Sequence, residues 1–140
     1  MDIQSFTLIA VELTQRLKTA RKTSSVDNWQ CGIIYDLGNN AEGDVIQILN
    51  LFITRTNKTH IGTLIARTSF LLKLGSVDLK PTTEKDFEVY TFFATLAMSH
   101  ARALFMREAN GTTFAGDILP CDNPTGIRNK LVLSVNINSN

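Results

Sequence analysis

Apolar and polar positions alternate most clearly in the first half of the chain. In CGIIYDLGNN (31–40), Ile33, Tyr35 and Leu37 share one side of an extended segment that ends in turn residues. DVIQILNLFITRT (44–56) is rich in β-branched and aromatic residues, and both of its alternating faces are apolar. Ile46, Ile48 and Phe52 lie on one, Val45, Leu49, Leu51 and Ile53 on the other, which predicts a central strand covered on two sides. HIGTLIARTSFLLKL (60–74) sets Leu64, Ala66, Phe70, Leu72 and Leu74 on one face. Its other face mixes Ile61, Ile65 and Leu71 with Arg67 and Lys73. The link Asn57-Lys58-Thr59 is hairpin-sized, so these two strands should run antiparallel. Residues 6–18, FTLIAVELTQRLK, fit a helical stripe and an alternating strand about equally. Towards the C-terminus, KLVLSVNIN alternates Leu131, Leu133, Val135 and Ile137, which favours a strand.

A helical period begins after Pro81. Thr83 is a natural N-cap, with Glu84 and Asp86 in the first turn where the helix dipole favours acids. Phe87, Tyr90, Ala94, Ala97, Ala101 and Leu104 then recur at helical spacing. Arg102 and Arg107 stand near the far end, and Gly111 suits the left-handed residue that closes it. The order of elements predicts one α+β domain over 1–140, an antiparallel sheet with a long helix packed on it.

Composition narrows the class but not the function. A chain of 140 residues, 44% hydrophobic and 19% charged, suits a single globular core. A formal charge of +1 provides no field for nucleic acid or an anionic membrane. The start of the chain has no basic leader, and Glu12 and Gln15 interrupt its apolar stretch, so no membrane span is expected. Cys31 and Cys121 sit in no metal-like spacing and read as two thiols in a reducing, cytoplasmic compartment.

Catalytic signatures are missing: there is no GxSxG, GxxxxGK[ST] or GxGxxG. His100 has no second histidine or cysteine at ligand spacing and reads as structural or exposed; no metal or other cofactor is expected. Asp117 and Asp122 flank Pro120 and could act as an acid–base pair if they met in a cleft, though such aspartates more often cap turns. The chain is therefore expected not to be an enzyme. The cluster Arg16, Lys18, Arg21 and Lys22 reads as a solvated strand edge, with a patch for RNA or an acidic partner as the lesser alternative. What stands out is excess apolar surface. One helix covers one face of a sheet, and a second copy of the chain is the simplest cover for the other, with the C-terminal tail as the alternative cover.

Several stretches resemble the SecB family of protein-export chaperones, from about Trp29 to Ile127. DNWQCGIIYDLGNN resembles the family's Asp-Trp-Gln stretch, which leads from a crossover into a strand. DVIQILNLFITRT and HIGTLIARTSFLLKL resemble its central hairpin. HARALFMREANGTTF resembles its Tyr-Ala-Arg-Glu helix end and Gly-Thr-Phe turn, and ILPCDNP its proline loop. The resemblance implies that 6–18 is the first strand of a four-stranded antiparallel sheet with helices on one face, assembled as a dimer of dimers. It implies an ATP-independent holdase for unfolded or nascent polypeptides, with Trp29, Ile33, Tyr35 and Leu37 lining an apolar peptide-binding groove.

The chain departs from that pattern in two places. The family docks its motor ATPase through acidic side chains on the first and third strands. Here the first strand ends in Arg16, Lys18, Arg21 and Lys22, and 61–71 holds no acid. The chain ends LVLSVNINSN where the family has a second helix and an acidic tail. Both departures argue against docking on the export ATPase. They favour a chaperone for another client, such as the antitoxin of a toxin–antitoxin pair, or a specific protein-interaction module.

Overall fold

The computed structural model describes residues 2–39, 44–76, 84–120, 126 and 131–135. It contains β1 (Asp2–Arg21), β2 (Asn28–Asn39), β3 (Val45–Thr56), β4 (His60–Ser76), α1 (Glu84–Glu108) and β5 (Leu131–Val135). The strand order is β1-β4-β3-β2-β5, and the first four strands are antiparallel to one another. The segment that fitted helix and strand equally is a strand, β1. The expected four-stranded antiparallel sheet with a long helix packed on it is present, and a fifth strand extends it. β5 joins the free edge of β2 in parallel, Ile33 opposite Leu131 and Leu37 opposite Val135. Over Leu131–Val135 the alternation therefore prevailed over the helix that the resemblance implied, while Ile137 lies outside the described residues.

Topology follows from one tight turn and one crossover. Asn57 Oδ1 accepts from the backbone N–H of Thr59 (3.0 Å) and of His60 (2.7 Å), closing the β3–β4 hairpin. β1 then pairs with β4, so residues 22–27 must cross the hairpin tip to reach β2. Two bonds hold them there, Lys22 N to Thr59 O (2.9 Å) and Ser24 N to Lys58 O (3.2 Å).

The helix lies on one sheet face and makes the core with it. Ile33, Tyr35 and Leu37 of β2, Leu49, Leu51 and Ile53 of β3, and Leu64, Ala66, Phe70 and Leu72 of β4 are buried. Each set has period two, as alternation requires. Tyr90, Ala94, Ala97 and Ala101 form the expected helical stripe, whose small residues let the helix sit close to the strands. Phe93 and Phe105 complete it; Leu104, expected at its end, is half-buried instead. The helix closes at Gly111, whose φ of 79° is the left-handed conformation open to glycine. The expected cap at Thr83, and Pro81, Cys121, Asp122 and Pro124, lie outside the described residues.

Candidate apolar binding surface

β1 forms one edge of the sheet, and among the described residues no strand pairs with its outer side. Five irregularities interrupt its register with β4, so its side chains do not sort cleanly into covered and solvated sets. Phe6, Leu8, Ile9 and Val11 are 44, 46, 51 and 39% exposed, a run of large apolar side chains along an open edge. Edges of this kind are normally blunted by charge or proline.

Phe6 continues this edge into an aromatic cluster. Its ring meets Phe93 edge-on at 5.0 Å, and Phe70 and Phe92 each at 5.9 Å. Phe70 and Phe93 belong to the core, whereas Phe92 is half exposed. Between β1 and the first half of α1 lies an open pocket of about 610 Å³, walled by Ile3, Phe6, Val89, Phe92 and Phe93 with Ser5 and Glu88 as its polar members. That volume suits a bulky apolar group. Sequence reasoning missed this site, because its walls come from segments more than eighty residues apart.

The residues that the resemblance assigns to the groove lie elsewhere. Ile33, Tyr35 and Leu37 are essentially without exposed surface beneath α1. The Tyr35 ring packs against Tyr90 at 4.5 Å, and burial, with Tyr90 as the smaller cause, pushes its hydroxyl pKa well above the ordinary value. The part of these positions at the sheet edge is backbone, and β5 pairs with it. Trp29 is half-buried at the far end of the core, edge-on to Phe105 at 4.8 Å.

Arg55, opposite Trp29 in register, fastens that corner. Its Cζ stands 5.2 Å from the indole centre, its Nε donates to Asp117 Oδ2 at 2.8 Å, and its Nη1 donates to Asp27 and to Thr56 O. Burial opposes the guanidinium charge, but the hydrogen bonds to the two aspartates outweigh it and hold its pKa above the ordinary value. Asp117, a candidate acid, is thus the anion of a structural ion pair, and Asp122 lies outside the described residues. His100 is half-buried with Nδ1 3.2 Å from Thr68 Oγ1, a polar contact between helix and sheet. Among the described residues no group of three His, Cys, Asp or Glu converges on a common point. Within the basic cluster Arg16 grips Glu108 through two bonds of 2.9 and 3.0 Å, tying β1 to the end of α1, while Lys18, Arg21 and Lys22 are exposed. No described helix is long and apolar enough to cross a membrane.

No protein-family model matches the chain, and no curated protein does. Solved structures do. A protein of unknown function from Streptococcus agalactiae matches with a TM-score of 0.58 at 10% identity, over 83% of this chain and 97% of that one. A SecB-like chaperone from Mycobacterium tuberculosis, solved with a ChAD peptide from the HigA1 antitoxin, matches with a TM-score of 0.47 at 11% identity, over 82% of this chain and 89% of that one. The first likeness is one of fold: a sheet with a long helix across one face runs through nearly the whole of the smaller protein.

Proposed function

We propose that the chain is an ATP-independent holding chaperone of SecB-like type, which takes extended apolar segments of unfolded or nascent polypeptides along β1. One observation carries this reading. Four large apolar side chains stand 39–51% exposed on an unpaired sheet edge that leads into the phenylalanine pocket. Backbone N–H and C=O groups of an open edge bind a client strand whatever its sequence, and the pocket takes one bulky side chain as an anchor. Many weak apolar contacts hold a broad range of segments without selecting one, and holding requires no bond to be made or broken. On this reading the protein is not an enzyme and needs no cofactor. Of the four residues implied by the resemblance, Trp29 has surface to offer and would extend the client path; Ile33, Tyr35 and Leu37 support the sheet from within.

The test is suppression of aggregation of a chemically unfolded client, without nucleotide, by wild type and by Ile9→Asp and Phe92→Ser variants. Both substitutions fall on exposed positions, so the fold should persist, and each should weaken client binding about tenfold or more. Absence of binding by the wild type, or full binding by both variants, would defeat the reading. A narrower form, one dedicated client such as an antitoxin, or a single-partner module, is separated by challenge with several unrelated unfolded chains. Binding to one alone would select it.

A further inference from the structure

The apolar edge of β1 runs into a cluster of positive charge. Lys18, Arg21 and Lys22 are exposed at its far end, and the β3–β4 turn adds Lys58. Arg21 stands opposite His60, and the bonds from Lys22 N to Thr59 O and from Ser24 N to Lys58 O hold the turn against the crossover. Three carboxylates of this corner are already committed, Glu108 to Arg16 and both Asp27 and Asp117 to Arg55. Among the described residues no ion pair reaches Lys18, Arg21, Lys22 or Lys58. Lysine on a sheet edge ordinarily keeps other strands away. These cations are poorly placed for that, because from Ile3 to Gln15 the edge carries one charge, Glu12. β4 pairs with β3 without a register shift, so it measures the edge. Phe6 is opposite Leu72, Lys18 opposite Thr63 and Arg21 opposite His60. At ~3.3 Å per residue of β4, Lys18 and Arg21 therefore lie ~30 and ~40 Å from Phe6. At the pocket end Lys73, opposite Ser5, and Glu88 carry opposite signs, so that end favours neither.

We propose that this edge selects clients in which acidic residues stand about nine to twelve positions from the bulky apolar residue that fills the pocket. The inference rests on the chaperone reading above and adds the client's chemistry to it. An extended segment paired with β1 covers ~30–40 Å in that many residues, which brings its carboxylates beside Lys18, Arg21, Lys22 and Lys58. A single exposed ion pair is weak, so the selection comes from two or three acting together, about tenfold in affinity. A polypeptide fits both features of the edge. It pairs with the open backbone and carries carboxylates to the lysines, whereas RNA meets only the charge.

Fluorescence anisotropy of the full chain with labelled, strand-forming peptides of about twenty residues tests it, a length that spans the edge. One peptide carries a single Phe with two Glu about ten and twelve positions away, made in both chain directions. A second has Gln at those two positions, and a third has its Glu about four positions from the Phe. The first peptide, in its better direction, should bind about tenfold more tightly than the other two at low salt, and the advantage should shrink at high salt. A Lys18→Glu, Lys22→Glu variant should invert the preference, taking a peptide with Lys at the distant positions over the one with Glu. Equal affinity for the Glu and Gln peptides would overturn the proposal while leaving the chaperone reading intact; binding of neither would overturn both. An advantage that ignores the spacing, or a charge-reversed variant with the wild-type preference, would also overturn the selection. So would tighter binding of a single-stranded RNA than of the Glu peptide, which would assign the cations to a nucleic acid.

Discussion

Arg55 joins three segments that are remote in sequence: the crossover through Asp27, the start of β2 through Trp29, and the loop after α1 through Asp117. Arg55→Met keeps most of the side-chain bulk and deletes the charge. The side chain is 12% exposed and Asp117 31%, so their charge-assisted bond is partly shielded from water and contributes about 1.5 kcal/mol. Asp27 is 58% exposed, and its share is that of a surface pair, about 0.5 kcal/mol. Loss of the guanidinium over the indole adds about 0.5–1 kcal/mol. The expected destabilisation is about 2–3 kcal/mol, and about half of that for Arg55→Lys, because one ammonium cannot serve both aspartates and the ring. Urea unfolding followed by fluorescence measures it directly, since Trp29 is the single tryptophan of the chain. The native emission of Arg55→Met should shift to the red, and acrylamide should quench it more efficiently, as the indole loses its cover. A loss below about 0.5 kcal/mol with unchanged emission would refute this reasoning, leaving Phe105 as sufficient support for Trp29.

Other perturbations test the packing on either side of this corner. A Cβ at Gly62 would stand 2.9 Å from Phe114 Cε2 and 3.2 Å from Leu17 Cδ1, so Gly62→Ala should cost about 1–3 kcal/mol by thermal unfolding. Gly32→Ala, with nothing within 4 Å, should change stability by about 0.5 kcal/mol or less, and equal effects at both sites would contradict the packing. The Arg16 hydrogen bond holds the Glu108 carboxyl below its ordinary value despite partial desolvation. A depressed pKa means stability that is present above the unfolded-state value and is lost as pH falls through the folded one. Glu108→Gln should therefore lower the melting temperature at neutral pH, with the gap to wild type closing in acid; a gap independent of pH would refute the linkage. The Tyr35 hydroxyl is buried without a partner among the described residues, so Tyr35→Phe should be neutral or stabilising by about 1 kcal/mol in denaturant titration, and a clear loss would reveal a bond at that oxygen.

The interior strands were legible because they obey one period. In β2, β3 and β4 alternate residues meet the helix, and hydrophobicity along the chain records that directly. β1 was not, for a reason visible in its pairing. Register shifts between Ile3 and Ser5, Leu8 and Ala10, Leu13 and Gln15, and Gln15 and Lys18 reset the alternation every few residues. An edge strand that keeps apolar side chains in solvent also blurs the contrast on which such readings depend. The helix was clear from its apolar stripe and from Gly111, where stripe and stop signal coincide. Asp117 illustrates a different limit. Its partner Arg55 is 62 positions away, so local spacing could mark it as an acid in a loop but could not show that its charge was taken.

The buried polar groups are unevenly placed, and their position bears on the binding surface. Gln47 is fully buried with both amide atoms unpartnered among the described residues, and Tyr35 buries an unpaired hydroxyl on the neighbouring strand. Gln47 stands opposite Leu37 on one side and Phe70 on the other. Phe70 is in turn the inner neighbour of Phe6 and Phe93, which wall the pocket. The opposite end of the core, where Ile53, Leu64, Phe105 and Phe114 are buried, holds no such group among the described residues. Each unsatisfied polar atom removes about 1–3 kcal/mol from the packing around it. Among the described residues the unpartnered buried polar atoms therefore gather behind the pocket and not under Trp29. On the proposed chaperone function, a wall with unpartnered polar atoms behind it would let the aromatic cluster repack around different client side chains at small cost. The crossover corner has the opposite requirement, and there Arg55 and its two aspartates hold the chain to one conformation.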